Sequence, residues 1–193
     1  MARPREFQRD DVLDKAMQVF WTQGYEATSL NDLTRAMGLS KSSFYDSFGS
    51  KHALFLATLD FYRERVTAQV GSVADLEAPA RQVLTSILRR AVDRIVETEG
   101  RRGCFLNNTA VERGPFDPEA MARCRAGMTV MEDSFYRLVA RSQEEGQVSR
   151  LLDPRATARY LTAMVNGIMV VGKANPDRKM LDDIVAVALE ALT

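Results

Sequence analysis

Two lysines and a run of hydroxyl groups lie close together between residues 40 and 52. Lys41 and Lys51 stand at the predicted starts of two successive helices, where the lysine charge, the helix dipole and the free amide groups all favour an anion. Between them, Ser42, Ser43 and Tyr45 offer short hydroxyl side chains and one phenol. Serines are small enough to let a helix enter the major groove of DNA, where hydroxyls can meet base edges or phosphates. The spacing therefore indicates a short helix that can contact two phosphates and the groove between them.

The sequence offers little for catalysis or for metal binding. His52 is the only histidine, and Cys104 and Cys124 are the only cysteines, so a zinc site of the Cys/His type is hard to build. The sequence also has no HExxH pattern, no catalytic histidine cluster and no glycine-rich phosphate loop. We therefore expect no enzyme activity, no cofactor and no metal site.

The serine-rich segment needs support from neighbouring helices, because a helix of barely two turns is not stable alone. With Ser40 as its N-cap, Phe44 and Phe48 share one face as i and i+4, while Ser42 and Asp46 point away from that face. We expect the phenylalanines to close a small core with the preceding helix. A generic helical hairpin with a solvated polar face has the same spacing, and it stays open as the alternative.

Helical periodicity recurs along almost the whole chain, and no segment alternates as a strand would. The sequence therefore predicts an all-α fold of about nine helices. In the first helix, Val12, Ala16, Val19 and Phe20 are expected to share the buried face, and the fourth helix is expected to end near Val70. The expected starts and caps are near Asp10, at Ser29, Ser40, Ser50 and Pro79, between Gly103 and Gly114, at Asp117-Pro118 and Asp153-Pro154, and at Asp177.

Composition suits a soluble globular protein, with 46% hydrophobic and 27% charged residues. The 26 basic and 26 acidic residues cancel, so binding to nucleic acid must depend on placed contacts rather than on bulk charge. No apolar run is long enough to span a membrane, and the first residues lack the apolar middle of a secretory signal. We expect a cytoplasmic protein with reduced cysteines and no membrane partner.

The stretch GYEATSLNDLTRAMGLSKSSFYDSFGSKHALF resembles the helix-turn-helix of the TetR family of bacterial transcriptional regulators. The resemblance is detailed over about residues 9–60 and is architectural beyond them. It implies an N-terminal three-helix DNA-binding domain (1–52) and a C-terminal helical ligand-binding and dimerisation domain (53–193). It further implies a homodimeric repressor that binds a palindromic operator and is released by a small, largely apolar ligand. The matching features are Gly24-Tyr25, Thr28-Ser29, Leu33, Ala36, Gly38-Leu39-Ser40, Phe44-Tyr45, Phe48 and Ser50-Lys51.

The resemblance also implies roles for individual side chains in binding a double-stranded DNA operator. Thr28 and Ser29 would bind phosphate at the start of the second helix, and Lys51 would hold a phosphate at the start of the fourth. Tyr45 would contact backbone phosphate or a thymine methyl group. The residues expected to face the bases are Lys41, Ser42 and Ser43.

Three features of this region have no settled role in the sequence. Many family members carry glycine where Ser42 stands, so the groove-facing side has an extra hydroxyl. Asp46 stands where a neutral or basic residue is common, and its carboxylate can accept from cytosine, repel phosphate or serve as a structural cap. The N-terminal arginines at positions 3, 5 and 9 fit either an arm that reaches the DNA or a solvated tail.

The C-terminal part contains a methionine-rich apolar stripe and a second candidate pocket wall. The stripe is Met121, Cys124, Met128, Met131, Phe135 and Leu138, and methionine makes such a surface adaptable. The second wall lies in GCFLNNTAVE, where Asn107, Asn108 and Thr109 are polar. Ordinary core packing explains the same pattern and stays open. The candidate residues for a small-molecule effector of unknown identity are Cys104, Phe105, Asn108, Met121, Cys124, Met128, Met131 and Phe135.

The last two helices, about residues 154–192, are apolar on more sides than one subunit needs. They are expected to form a four-helix homodimer interface with the same pair of a second chain, with Gly167 permitting close backbone approach. Both helices would otherwise be ordinary core. Three rival functions remain: the same fold sensing oxidants or electrophiles through Cys104 or Cys124, a helical enzyme, and a protein-interaction module that does not bind DNA.

Overall fold

A computed structural model describes residues 3–74, 77–97 and 102–193, and the side chains within 9–68, 77–97 and 102–193. In these residues the chain forms nine α-helices and no strand. The all-α prediction is therefore confirmed. The helices are α1 Arg3–Gln23, α2 Leu30–Met37, α3 Lys41–Phe48, α4 Lys51–Ala74, α5 Ala80–Glu97, α6 Phe105–Arg113, α7 Pro118–Glu144, α8 Pro154–Ala174 and α9 Arg178–Glu190.

The predicted caps account for most helix starts. Each cap side chain accepts a hydrogen bond from a backbone amide three residues further on, which satisfies one of the amides that the first helical turn leaves without a partner. The caps with this bond are Ser29, Ser40, Ser50, Asp117, Asp153 and Asp177. Two limits differ from the prediction: α1 begins at Arg3 rather than near Asp10, and α4 continues to Ala74. The sequence also predicts that the helix starting at Pro79 ends at Gly100, but Gly100 and the side chains of Arg3 and Arg5 lie outside the described residues.

The buried face of α1 is shifted from the predicted one. Leu13, Ala16, Met17 and Phe20 are buried, and they follow the i, i+3, i+4, i+7 spacing of a helix face. Val12 and Val19, which we expected on this face, are partly exposed. The prediction was correct for Ala16 and Phe20, but Leu13 and Met17 complete the buried face instead of Val12 and Val19.

Contacts divide the chain into two compact units. The first contains residues up to Arg65 together with Phe105–Arg125, and the second contains Val66–Cys104 and Ala126–Thr193. The predicted division into 1–52 and 53–193 was drawn at the end of the helix-turn-helix, and it stays a prediction. By contacts, α6 and the first two turns of α7 belong with the N-terminal helices.

An aromatic cluster forms the core of the first unit. Phe20 and Phe55 meet edge to face with ring centroids 5.0 Å apart, and Trp21 and Tyr62 meet in the same way at 5.1 Å. Phe105 of α6 joins the cluster, with its centroid 5.8 Å from Tyr62, 6.0 Å from Phe55 and 6.1 Å from Trp21. Each such pair adds about 0.5–1.5 kcal/mol to the stability gained by burial. The cluster therefore fixes α6 against α1 and α4.

The second unit is a helical bundle built from α5, α8, α9 and the later part of α7. Its core includes Leu88, Phe135, Leu161 and Ile168, all nearly inaccessible to solvent. Gly172 of α8 permits close approach to α5, because a Cβ there would lie 2.5 Å from Cγ2 of Ile95. Gly167 was predicted to permit close approach at the homodimer interface; a Cβ there would meet no atom within 4 Å in this chain, and the prediction stays open.

Two classes of feature are absent from the described part of the chain. None of its helices combines the length and the apolar character that crossing a membrane requires. The same residues contain no group of three or more histidine, cysteine, aspartate or glutamate side chains placed to share a metal ion.

Candidate nucleic-acid interface

The start of α2 is organised by a capping box. The Ser29 amide donates to Oδ2 of Asp32 at 3.0 Å, and the Asp32 amide donates to Oγ of Ser29 at 3.2 Å. The Ser29 hydroxyl donates to the same carboxylate at 2.5 Å, and these bonds hold the pKa of Asp32 below its ordinary value. Ser29 itself is exposed at the helix N-terminus, as the prediction required.

A tight turn separates α2 from α3. Gly38 ends α2 with φ of 69°, in the left-handed region that side chains with a Cβ rarely adopt. Its amide and that of Leu39 donate to carbonyl groups in the last turn of α2. Ser40 then caps α3, so the direction of the chain changes within three residues. This geometry is the turn of a helix-turn-helix.

The two sides of α3 differ as the sequence predicted. Phe44 is completely buried and contacts the ring of Phe48, whose centroid is 5.9 Å away, although Phe48 is only half-buried. Tyr45 is 53% exposed, and Asp46 is also exposed. The remaining exposed residues of α3 are Lys41, Ser42, Ser43 and Ser47.

The hydroxyl groups at the start of α3 form a small cluster. Oγ of Ser40 accepts from the Ser43 amide at 3.1 Å and lies 2.9 Å from the hydroxyl oxygens of both Ser42 and Ser43. A hydroxyl donates one proton and accepts two, so Ser40 is fully used by its three bonds, whereas Ser42 and Ser43 keep capacity for further bonds. The cluster presents donors and acceptors together on the exposed side of α3.

Two cations approach the ring of Tyr25, in the turn between α1 and α2. Nζ of Lys51 lies 4.4 Å from the ring centroid, and the guanidinium carbon of Arg113 lies 4.6 Å from it. Both distances are within the range of a cation–π interaction. Burial raises the pKa of Tyr25 above its ordinary value. The positive charge of Arg113 lowers this pKa, and the negative charge of Glu26 raises it. The ring therefore restricts where the Lys51 ammonium group lies at the start of α4.

A polar network extends from Tyr25 to the start of α7. Arg113 forms ion pairs with Glu26 and, at 3.7 Å, with Asp117. Asp117 caps α7 and also contacts Nε2 of His52 at 2.9 Å. Burial alone would raise the pKa of Asp117, but the Ala120 amide, His52 and Arg113 hold it below its ordinary value. The sequence gives no sign of this network, because its members lie far apart along the chain and the only local motif among them is the Asp117 cap.

Thr28 does not occupy the position that we expected. Its side chain is 1% exposed, and its hydroxyl donates to the Gly24 carbonyl at 2.6 Å. A buried hydroxyl whose proton is already bonded cannot reach a phosphate in this conformation. Thr28 therefore stabilises the turn before α2, and Ser29 is the exposed member of the pair.

The predicted effector residues are divided between the two compact units. Phe105, Asn108, Met121 and Cys124 belong to the first unit, whereas Cys104, Met128, Met131 and Phe135 belong to the second. Within the first unit, Cys124 is fully buried, and its thiol donates to the Leu106 carbonyl at 3.4 Å. Within the second, Phe135 lies in the core and Met131 and Cys104 pack against it. Ordinary core packing accounts for these buried members.

Asn107, beside the predicted set, has an unusual environment. It is 9% exposed, and among the described residues its side-chain nitrogen has no hydrogen-bond partner. A buried amide without partners costs about 1–3 kcal/mol. The sequence places Asn107 among the polar residues of this wall, although of the two neighbouring asparagines only Asn108 is among the predicted effector residues.

A capped helical hairpin with a short polar recognition helix, followed by a helical bundle, defines the class of helix-turn-helix transcriptional regulators. The chain belongs to the TetR family: the model of bacterial regulatory proteins of the tetR family matches residues 12–58, and that of the tetracyclin repressor-like C-terminal domain matches residues 79–188. The family consists of DNA-binding regulators rather than enzymes.

Similar proteins cover the whole chain. The uncharacterized HTH-type transcriptional regulator YezE of Bacillus subtilis is 33% identical, with all of both chains aligned. The HTH-type transcriptional repressor ComR of Escherichia coli is 27% identical over 97% of this chain and 90% of its own. A solved structure of a cysteine mutant of the TetR family regulator CifR, in complex with 26-base-pair operator DNA, is 32% identical with a TM-score of 0.83, over 99% of this chain and 100% of CifR.

Proposed function

We propose that this protein is a repressor that binds a palindromic operator as a homodimer and is released by a small, largely apolar ligand. One observation carries the DNA-binding part: α3 exposes lysine, hydroxyl and phenol groups on one side while Phe44 anchors the other side in the core. ComR supports repression, and the CifR complex supports binding to operator DNA. A regulator of this kind acts in the cytoplasm, where the chromosome is.

The proposed contacts follow from the exposed groups. Ser29 at the start of α2 and Lys51 at the start of α4 bind phosphates on either side of α3. Lys41, Ser42 and Ser43 face the bases, and Tyr45 contacts a phosphate or a thymine methyl group. Phosphate contacts set the register of the protein on the duplex, whereas the contacts from α3 select the sequence.

The homodimer is proposed to form through α8 and α9. Tyr160, Val170 and Val171 on α8 and Val187 on α9 are large apolar residues with 41–62% exposure. An open groove of about 580 Å³ between these helices is lined partly by Met180 and Ile184. Exposed apolar surface of this kind is typical of an interface. A twofold dimer presents two copies of α3, which matches a palindromic site.

The ligand is proposed to bind beside α6. The adaptable methionines and the buried Asn107 amide without an acceptor support this location. Asn107 would donate to an acceptor oxygen or nitrogen on an otherwise apolar molecule. Binding would favour a conformation with weaker operator affinity, which requires the ligand to prefer that conformation.

The DNA-binding part is tested by selecting duplexes from a random library and measuring affinity against salt concentration. Lys51→Ala removes one proposed phosphate contact per subunit, so the slope of log affinity against log salt should fall by about 2 for the dimer. Tyr45→Ala combined with Lys51→Ala should abolish specific binding. Arg90→Ala, which removes an exposed cation on α5, is the matched control and should bind as the wild type does. Unchanged binding by the double variant would contradict the proposal.

The ligand part is tested by screening small molecules for stabilisation of the protein and for release of the selected duplex. Compounds that do both should share an apolar body and a hydrogen-bond acceptor. Asn107→Leu should reduce their effect by about tenfold, since a lost buried hydrogen bond costs about 1–1.5 kcal/mol. Stabilising compounds that leave operator affinity unchanged would refute release by ligand.

A thiol sensor is the second candidate, and the environments of the two cysteines favour Cys104. Cys104 is half-buried and follows Arg102, whereas Cys124 is fully buried. A thiolate at Cys104 would attack one oxygen of hydrogen peroxide, breaking the O–O bond, forming a sulfenic acid and releasing hydroxide. Peroxide should then weaken operator binding by the wild type and by Cys124→Ser, but not by Cys104→Ser. Equal loss in all three proteins would exclude this role.

A further inference from the structure

Asp46 is an exposed carboxylate on the side of α3 that is proposed to face DNA. It lies one helical turn after Ser42, and both residues point away from the buried Phe44. Its neighbours Tyr45 and Ser47 are exposed as well. Asp46 therefore lies at the interface in any complex in which α3 occupies the major groove of DNA.

No cation in the described part of the chain neutralises this carboxylate. Other carboxylates of the first unit have basic partners, for example Asp11 with Lys15 at 2.6 Å and Asp60 with Arg123 at 2.9 Å. Asp46 forms no ion pair or side-chain hydrogen bond within the described residues, and it does not cap α3, whose capping side chain is Ser40. Its negative charge and its acceptor atoms are available to a ligand.

The charge and the hydrogen-bonding groups of double-stranded DNA restrict where an unpaired carboxylate can bind. The duplex carries about one negative charge per 1.7 Å of helix axis, so an unpaired carboxylate is repelled unless it meets a hydrogen-bond donor. In the major groove those donors are the amino groups of cytosine (N4) and adenine (N6). The adenine amino group lies beside the N7 acceptor, which repels a carboxylate, whereas the cytosine edge has no such acceptor. Cytosine is therefore the preferred partner.

The other exposed groups of α3 are less selective. Ser42 and Ser43 carry hydroxyls that both donate and accept, so they are compatible with several bases. Lys41 only donates, and it binds phosphates as well as guanine. Asp46 is the one acceptor-only side chain on α3. We infer that Asp46 determines operator specificity by accepting a hydrogen bond from N4 of a cytosine at one fixed position in each half-site. This inference rests on the proposed function of α3.

The test compares base preferences of the wild type with those of Asp46→Ala and Asp46→Asn, using selection from randomised duplexes. The wild type should enrich cytosine at two positions related by the twofold axis of the operator. Asp46→Ala should lose that preference alone, and Asp46→Asn should shift it towards adenine, which asparagine binds through N6 and N7. Ser47→Ala, which alters an adjacent exposed residue, should keep the wild-type preference.

Direct binding measurements complete the test. Replacing the selected cytosine pair in one half-site should weaken wild-type binding by roughly 5- to 150-fold, the usual range for one base contact. The same replacement should change binding by Asp46→Ala by less than twofold.

If Asp46→Ala keeps the cytosine preference and binds all duplexes more tightly, the carboxylate only repels phosphate and the inference is wrong. If Asp46→Ala has a lower urea midpoint and keeps the cytosine preference, Asp46 has a structural role and the inference is wrong. A wild-type protein that selects no duplex would refute the proposed function itself.

Discussion

Replacing the ring of Tyr25 should cost much more stability than removing its hydroxyl. Lys51 and Arg113 lie 4.4 Å and 4.6 Å from the ring centroid, and the two cation–π contacts together contribute about 1–2 kcal/mol. The ring also packs against Phe55, with centroids 4.7 Å apart, which adds about 0.5–1.5 kcal/mol. Tyr25→Leu should therefore lower the free energy of unfolding by about 2–3 kcal/mol, and Tyr25→Phe by less than about 0.5 kcal/mol.

Urea unfolding, followed by circular dichroism, measures both variants. Double-mutant cycles with Lys51→Met and Arg113→Met assign the loss to each cation, and each should give a coupling of about 0.5–1 kcal/mol with the ring. Operator affinity should fall in Tyr25→Leu, because Lys51 loses the surface that restricts it. If Tyr25→Phe loses as much stability as Tyr25→Leu, or if both couplings are zero, the ring does not hold the cations and the reasoning is wrong.

Three further outcomes follow from other parts of the first unit. Phe44→Ala should lose about 3–5 kcal/mol in urea unfolding, because it empties a fully buried site, whereas Ser47→Ala should be nearly neutral. Asp117→Ala should lose about 1 kcal/mol at neutral pH through the lost cap. The pKa of Asp117 in the folded protein lies below its ordinary 3.8. The stability that the Asp117 carboxylate contributes is therefore complete above pH 3.8 and is lost as the pH falls through the folded-state pKa. Asp117→Asn should accordingly lose less stability than the wild type when the pH is lowered. Asn107→Leu should raise the thermal midpoint of the ligand-free protein, and a lower midpoint would mean that the amide has a structural partner.

Local signals in the sequence were sufficient to predict the number of helices, most of the helix starts and the exposed side of α3. Caps such as Ser40 and Asp153 are read from a few consecutive residues, and the i, i+4 spacing of Phe44 and Phe48 defines a face without reference to the rest of the chain. The same reasoning failed at Thr28, because a hydroxyl at a helix start fits a phosphate site and a buried turn equally well. Only the fold distinguishes them, by burying the side chain against the Gly24 carbonyl.

Long-range arrangements were beyond local reasoning. His52 and Asp117 are 65 positions apart, and nothing in either neighbourhood indicates that they meet. The apolar stripe on α7 predicted one wall of a pocket, but contacts assign Cys124 and Met128 to different units. A periodic stripe shows that residues share a helix face, and it does not show which other elements cover that face.

The position of Trp21 has a practical consequence. It is the only tryptophan in the chain, and its indole contacts the rings of Tyr62 from α4 and Phe105 from α6. Indole emission depends on the polarity and motion of its surroundings, so the intrinsic fluorescence of the unmodified protein reports on this one junction of α1, α4 and α6. The proposed binding of an effector beside α6 can thus be tested spectroscopically in real time, without a dye and without substituting any residue.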